Sequence, residues 1–393
     1  MMTAYFDNAS TTPVDPRVME KMSTCLGADG TFGNPASTTH GYGWLASEEV
    51  EWAREIIAQT IGADPREMVW TSGATESDNL AIRGVVEAMR HSTGRSKIIT
   101  METEHKAVLD TCANLRDVDV VYLKPDADGV LNLTRLAEVL DGNTLLVSVM
   151  LVNNETGVVQ PIQEIARLAH QVGAVMHSDL AQSVGKLDWT VETLGIDLGS
   201  LSAHKIHGPK GVGALYVKRG ACRIAEQQHG GQHERGMRSG TLPTHQLVGM
   251  AEAYRIAAEE SGVEIKRING YRERIEAAIE AIGGIRMNGA RGVPHIVNVT
   301  IDGVDAERLM AAMPEVAVST GSACNSATLE PSHVLQSMGL SRQEGLSSLR
   351  ISVGRMTTDE EIDLLVDTLS HAVRSEESEE HTSELQSHRS ISY

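Results

Sequence analysis

The segment Ser202-Ala203-His204-Lys205-Ile206-His207-Gly208-Pro209-Lys210-Gly211 sets a lysine between two histidines, just before a Gly-Pro turn. An amine that is desolvated or flanked by cations has a depressed pKa and becomes a nucleophile suited to a Schiff base. An exposed loop lysine is the commoner fate of the residue type, and this segment alone favours it. Asp179, in Ser178-Asp179-Leu180-Ala181-Gln182-Ser183, could keep a pyridine nitrogen protonated and so make the ring an electron sink. Gln182 could reach a ring hydroxyl from the same loop. His105, in Glu102-Thr103-Glu104-His105-Lys106, could stack on a flat cofactor and shuttle protons, although a capping or solvated histidine is commoner. Gly73-Ala74-Thr75-Glu76-Ser77 could bind an anion through backbone N–H groups and the Thr75 hydroxyl; a plain helix cap is an equal reading. It is neither a Walker loop nor a GxGxxG pattern. Cys324, in Ser319-Thr320-Gly321-Ser322-Ala323-Cys324-Asn325-Ser326-Ala327, has small polar neighbours and no apolar periodicity, a setting for a nucleophilic thiol. Cys25, Cys112 and Cys222 have no such setting and read as structural. His177 with Asp179, and His229 with His233, lack a convincing third ligand, so no metal is expected.

The elements that would position these residues are strands and helices in alternation. Met68–Ser72, Lys97–Met101, Asp119–Leu123, Thr144–Val152, Ala174–His177 and Leu198–Ala203 read as strands. Helical spacing fills Glu76–Arg90, Lys106–Leu115 and Pro161–Gln171. Repeated βαβ units predict a largely parallel sheet covered on both faces, with ligands beyond the carboxyl ends of its strands. Thr75, His105, Asp179 and Lys205 each follow such a strand end. A long helix over Leu247–Ile282 leads to a smaller α+β block, with strands near Val297–Ile301, Val316–Ser319 and Leu349–Val353 and helices near Ala306–Met313 and Thr358–Val373.

Composition bounds the rest. The 393 residues carry a formal charge of −19, which argues against direct nucleic-acid binding or an anionic membrane. Four scattered cysteines suggest a reduced, cytoplasmic protein, the N-terminus lacks the basic and apolar regions of a secretory signal, and no apolar run reaches membrane-spanning length. From Glu376 the chain turns polar and aperiodic, and residues 375–393 are expected to be disordered or artefactual. Reverse-translated, Ser378–His388 fits the text of a common sequencing adapter.

Seven motifs in order, TSGATESDN, TEHKAVLDT, VNNETGVVQP, SDLAQSVGK, SAHKIHGPKG, HERGMRSGTLP and GSACNSATLEPSHVL, resemble cysteine desulfurases of the housekeeping iron–sulfur type, over about Tyr5 to Val373. The resemblance implies a fold-type-I, pyridoxal 5'-phosphate-dependent α/β transferase working as a homodimer. It implies a large domain (15–260) around a mainly parallel seven-stranded sheet, and a smaller α+β domain (1–14 and 261–374) carrying the cysteine loop. By matching position, Lys205 would be the Schiff-base lysine, Asp179 the pyridine-nitrogen partner, Gln182 the ring-hydroxyl partner and His105 the stacking residue and acid/base. Ala74, Thr75, Ser202 and His204 would hold the phosphate, with Thr241 reaching across from the other subunit. Asn154 and Arg350 would bind the carboxylate of L-cysteine, and Cys324 would take the sulfur as a persulfide while alanine leaves. Sulfur would pass to an iron–sulfur scaffold or another acceptor protein. Leu180 departs from the small residue usual after the aspartate, and Asn325 from the usual threonine after the cysteine. The altered C-terminus leaves scaffold delivery in doubt. Two other functions remain: a transaminase or lyase in which Cys324 is incidental, and a degenerate relative that only binds partners.

Overall fold

The computed structural model describes residues 3–320 and 330–390, with side chains as far as residue 376. The chain begins with β1 (Ala4–Tyr5), α1 (Pro16–Ser23) and α2 (Gly41–Ile61). The alternating block follows as β2 (Met68–Thr71), α3 (Ala74–Thr93), β3 (Lys97–Met101), α4 (Lys106–Ala113), β4 (Asp119–Leu123) and α5 (Leu133–Val139). It continues through β5 (Thr144–Ser148), α6 (Ile162–Gln171), β6 (Val175–Asp179), α7 (Val191–Leu194), β7 (Leu198–Ser202) and β8 (Gly213–Val217). The long α8 (Thr244–Ile282) then leads to β9 (Ile285–Met287), β10 (Ile296–Ile301), α9 (Ala306–Ala311), β11 (Val316–Ala317), α10 (His333–Ser337), α11 (Arg342–Leu346), β12 (Ser348–Ser352) and α12 (Asp359–Ser390).

Seven strands form one sheet in the order β2-β8-β7-β6-β5-β3-β4. All neighbours are parallel except β8, which runs antiparallel to both β2 and β7. Strands such as β2 (MVWT) and β5 (TLLVS) are buried along their whole length, as expected of a sheet covered on both faces. Some of the polar residues inside it pair across strands, while the Thr100 and Ser178 hydroxyls have no partner among the described residues. His177 Nδ1 lies 2.8 Å from Ser148 Oγ and its Nε2 lies 3.0 Å from Ser200 Oγ, a chain across three neighbouring strands.

A smaller antiparallel sheet has the order β12-β10-β9, and β1 pairs in parallel with β11. The core changes along α8. Leu247, Met250 and Tyr254 pack against the large sheet, whereas Ile268, Ile275 and Ile279 pack with Phe6, Val299 and Leu349 around the small one. β12 thereby carries Arg350 toward the carboxyl ends of β6 and β7.

The end of the chain departs from expectation. Where the sequence leads one to expect a disordered or artefactual tail over 375–393, α12 continues as helix to Ser390. That stretch has neither glycine nor proline and is rich in glutamate, so nothing local stops the helix once it has begun.

Candidate active site

Lys205 sits in the turn after β7. Gly208 closes that turn, since a Cβ there would lie 2.8 Å from the Ala203 carbonyl oxygen. Lys205 Nζ donates to the carbonyls of Ala9 (2.6 Å) and Ser10 (2.7 Å) in the N-terminal loop. The flanking histidines have other partners. His204 Nδ1 lies 3.1 Å from Thr11 Oγ1, and His207 Nδ1 donates to the Pro13 carbonyl at 3.0 Å. Burial pushes both rings down to about 4, so both are neutral at pH 7. Neutral histidines do not flank Lys205 with cations; they hold its loop through Thr11 and Pro13.

Asp179 ends β6 and is buried. Desolvation raises its carboxyl pKa, against the lowering effect of the Ala181 N–H, His105 and Lys205. Gln182, on the following turn, donates from Nε2 to the Ala9 carbonyl at 2.7 Å. His105 both caps and faces the site. Its Nδ1 accepts the Ala107 N–H at 3.1 Å at the start of α4, which leaves the neutral ring's proton on Nε2. Burial, with Lys205 and His333 nearby, lowers its pKa.

The start of α3 has no side-chain cap, so the plain capping reading of Gly73–Ser77 does not hold. Its first N–H groups are left for another acceptor. Gly73 has a positive φ of 149°, and Gly213 passes directly beneath it: a Cβ on Gly213 would stand 2.6 Å from Gly73 Cα and 2.5 Å from the Leu201 carbonyl oxygen. The Ser202 hydroxyl is buried beside this cradle and finds no partner among the described residues. Glu76 does not oppose an anion there. Arg238 Nε donates to it at 2.8 Å and the Ser72 N–H at 2.6 Å, and these bonds hold its carboxyl low despite burial.

Arg350 is 2% exposed. Its Nη2 donates to Asp7 Oδ1 and Ser10 Oγ, both at 2.6 Å, and its Nη1 to the Asn154 carbonyl at 2.9 Å. Asn154 lies on a turn that Asn153 braces by accepting the N–H groups of Glu155 and Thr156, each at 2.9 Å.

These groups share one cavity of about 610 Å³. Ala74, Thr75, His105, Asn154, Asp179, Gln182, Ser202, His204, Lys205 and Arg350 all line it. Thr241 does not; on this chain it is exposed and outside the cavity. Cys324 lies outside the described residues. The chain before it is tied beside Arg350 by a backbone pair with Ser319 (2.6 and 3.2 Å), and the chain after it by His333 Nε2, 3.0 Å from the Glu104 carbonyl. Leu180 turns away into the core against Gly199, whose missing Cβ would lie 2.8 Å from its Cδ1. Sequence reasoning missed Ala9, Ser10 and Lys210 on the wall and Asp7 behind it. The polar run Asp7–Thr12 before Pro13 was the available signal. No helix among the described residues is long and apolar enough to cross a membrane.

The chain matches the aminotransferase class-V family over residues 4–365. It is 52% identical over 374 residues to cysteine desulfurase IscS of Pectobacterium atrosepticum, covering 94% of this chain and 92% of that protein. A solved NifS-like protein superposes with a TM-score of 0.88 at 34% identity, covering 95% of this chain and 100% of the other. SspA in complex with cysteine gives 0.79 at 37% identity, covering 91% and 100%.

Proposed function

The chain belongs to the aminotransferase class-V family and is a pyridoxal-phosphate-dependent cysteine desulfurase, and from that premise we propose how its residues turn L-cysteine into L-alanine and pass the sulfur to Cys324. The residues fit the cofactor. The observation that carries this is the unpartnered Ser202 hydroxyl beside the uncapped start of α3, on the same cavity as Lys205 and Asp179. A phosphate would satisfy the hydroxyl and the helix N–H groups together. Ala74, Thr75, Ser202 and His204 would hold it, with the partner subunit's Thr241 completing the shell.

When bound, pyridoxal phosphate supplies an electron sink for charge left at the substrate α-carbon. Asp179 would keep the ring nitrogen protonated, in a buried setting where opposite charges interact strongly. Gln182 would donate to the ring oxygen and His105 would stack on the ring. Lys205 would anchor the cofactor and its amine would take the α-proton. Arg350 and the Asn154 side chain orient the substrate carboxylate. His105 accepts and returns the proton of the substrate thiol. The Cys324 thiolate would attack the substrate sulfur: an S–S bond forms, the Cβ–S bond breaks with its electron pair remaining on carbon, and protonation at Cβ together with return of the α-proton to Cα by Lys205 gives alanine.

The working unit is a homodimer. Met19, Leu26, Phe32, Tyr42, Trp44 and Leu45 are all more than half exposed within one N-terminal stretch, an apolar face that a second copy would cover. The persulfide sulfur goes to an iron–sulfur scaffold or another acceptor protein in the cytoplasm. The test is to incubate cofactor-loaded protein with L-cysteine and a thiol reductant. Equal amounts of alanine and sulfide are expected; a cofactor-loaded protein that makes neither, yet transaminates other amino acids, would overturn the assignment.

A further inference from the structure

Behind the cofactor site lies a buried lysine to which the mechanism above gives no task. Lys186 follows the tight turn at Gly185 (φ 70°) and is 8% exposed. Its Nζ donates to Gln182 Oε1 at 2.6 Å. At the other end of that carboxamide, Nε2 donates to the Ala9 carbonyl, the same oxygen that accepts from Lys205. The far side of Lys186 meets an enclosed cavity of about 20 Å³, room for about one water, lined among others by Lys205, His207, Glu264, His295 and Arg355. Among the described residues the Lys186 amine makes no ion pair, because Glu264 is paired with Arg355 at 2.9 Å. An ion pair therefore does not account for its burial, which is costly for an amine.

We propose that Lys186 is a positioning residue that fixes the polarity of the Gln182 carboxamide, and so presents an N–H rather than a carbonyl oxygen to the ring oxygen of the cofactor. The inference rests on the reading that Gln182 meets that ring oxygen. A carboxamide is nearly symmetric in shape, so packing alone does not choose between its two orientations. An ammonium group offers donors only, so it donates to the oxygen end and cannot pair with the NH2 end. The Ala9 carbonyl enforces the same choice from the opposite side. Flipping the amide would put two donors together at Lys186 and two acceptors together at Ala9. Burial draws the Lys186 amine down to about 7, and Lys205 and Arg350 act in the same direction against Glu264. An uncharged amine can accept as well as donate, so when Lys186 loses its proton the choice of orientation passes to the Ala9 carbonyl.

The test reads the pH midpoint of the bound cofactor's visible absorbance in the loaded protein, for the native chain, Gln182→Ala, Lys186→Met and the double variant. A donor removed from the ring oxygen leaves that oxygen more basic, so Gln182→Ala should raise the midpoint by about one to two units. Lys186→Met should raise it by about one unit, and in the Gln182→Ala background it should add nothing, because it acts through Gln182. A native midpoint in Lys186→Met, or shifts that add in the double variant, would overturn the role of Lys186. A native midpoint in Gln182→Ala would instead overturn the reading of Gln182 and the inference with it. If Lys186→Met does not fold, Lys186→Gln retains an N–H donor and is expected to stay near the native midpoint; a shift equal to that of Gln182→Ala would sink the proposal.

Discussion

Replacing Arg350 with alanine should separate substrate binding from cofactor binding. The guanidinium is held by Asp7, Ser10 and the Asn154 carbonyl, so it loses little freedom when a carboxylate arrives. A carboxylate taking two of its N–H groups gains about 1.5–3 kcal/mol from each bond. Water entering the space left by the side chain returns part of that, leaving a net loss of about 3 kcal/mol, or roughly two decades in affinity. Asp7 acts in the same direction, because without its partner the carboxylate repels the incoming anion. The assay is alanine formation over a wide range of L-cysteine concentration, with cofactor loading checked by absorbance and folding by thermal denaturation. KM should rise by roughly two decades while kcat changes less, since the carboxylate is bound alike before and during the reaction. A KM within about threefold of native, in a protein still holding cofactor, would refute the placement of the carboxylate on Arg350.

Lys205→Ala should bind cofactor only non-covalently, so that borohydride fixes none to the chain; label retained after denaturation would remove Lys205 from its role. Gly213→Ala forces a methyl group against Gly73 Cα at 2.6 Å and the Leu201 carbonyl at 2.5 Å. It should cost about 2 kcal/mol or more in denaturant unfolding and weaken cofactor retention, and a native unfolding midpoint would contradict the close approach. His295 is pushed down to about 4 by burial, partly offset by Glu264, from an ordinary 6.5. As pH falls, the unfolded chain takes that proton first, so stability is lost between about pH 6.5 and 4. In His295→Gln the slope of stability against pH in that window should be smaller by up to about 1.4 kcal/mol per unit, and an unchanged slope would show that the ring titrates normally.

The strand ends were legible because β3 (Lys97–Met101) and β4 (Asp119–Leu123) are apolar or β-branched runs bounded by clear breaks, and the structure has them at the expected residues. β8 was not. It begins at Gly213, one residue beyond a Gly-Pro-Lys-Gly turn, and its antiparallel direction depends on which neighbour it meets. The site residues could be recognised by type and order, yet their surroundings could not. Nothing in the sequence marks Lys186 as buried or Asp78 as enclosed, since burial is a property of packing. His105 shows the same limit: capping and cofactor contact looked like rivals, and one ring does the first with Nδ1 while facing the cavity.

The central claim, that sulfur leaves cysteine by transfer to Cys324, is tested most directly by a single turnover without reductant. Cofactor-loaded protein is mixed with one equivalent of L-cysteine, quenched with an alkylating agent and weighed intact by mass spectrometry, alongside Cys324→Ala. The account predicts one added sulfur atom on Cys324 for each alanine released, and neither product from the variant. Alanine released at the native rate by Cys324→Ala, or added sulfur on a different residue of the native chain, would contradict it.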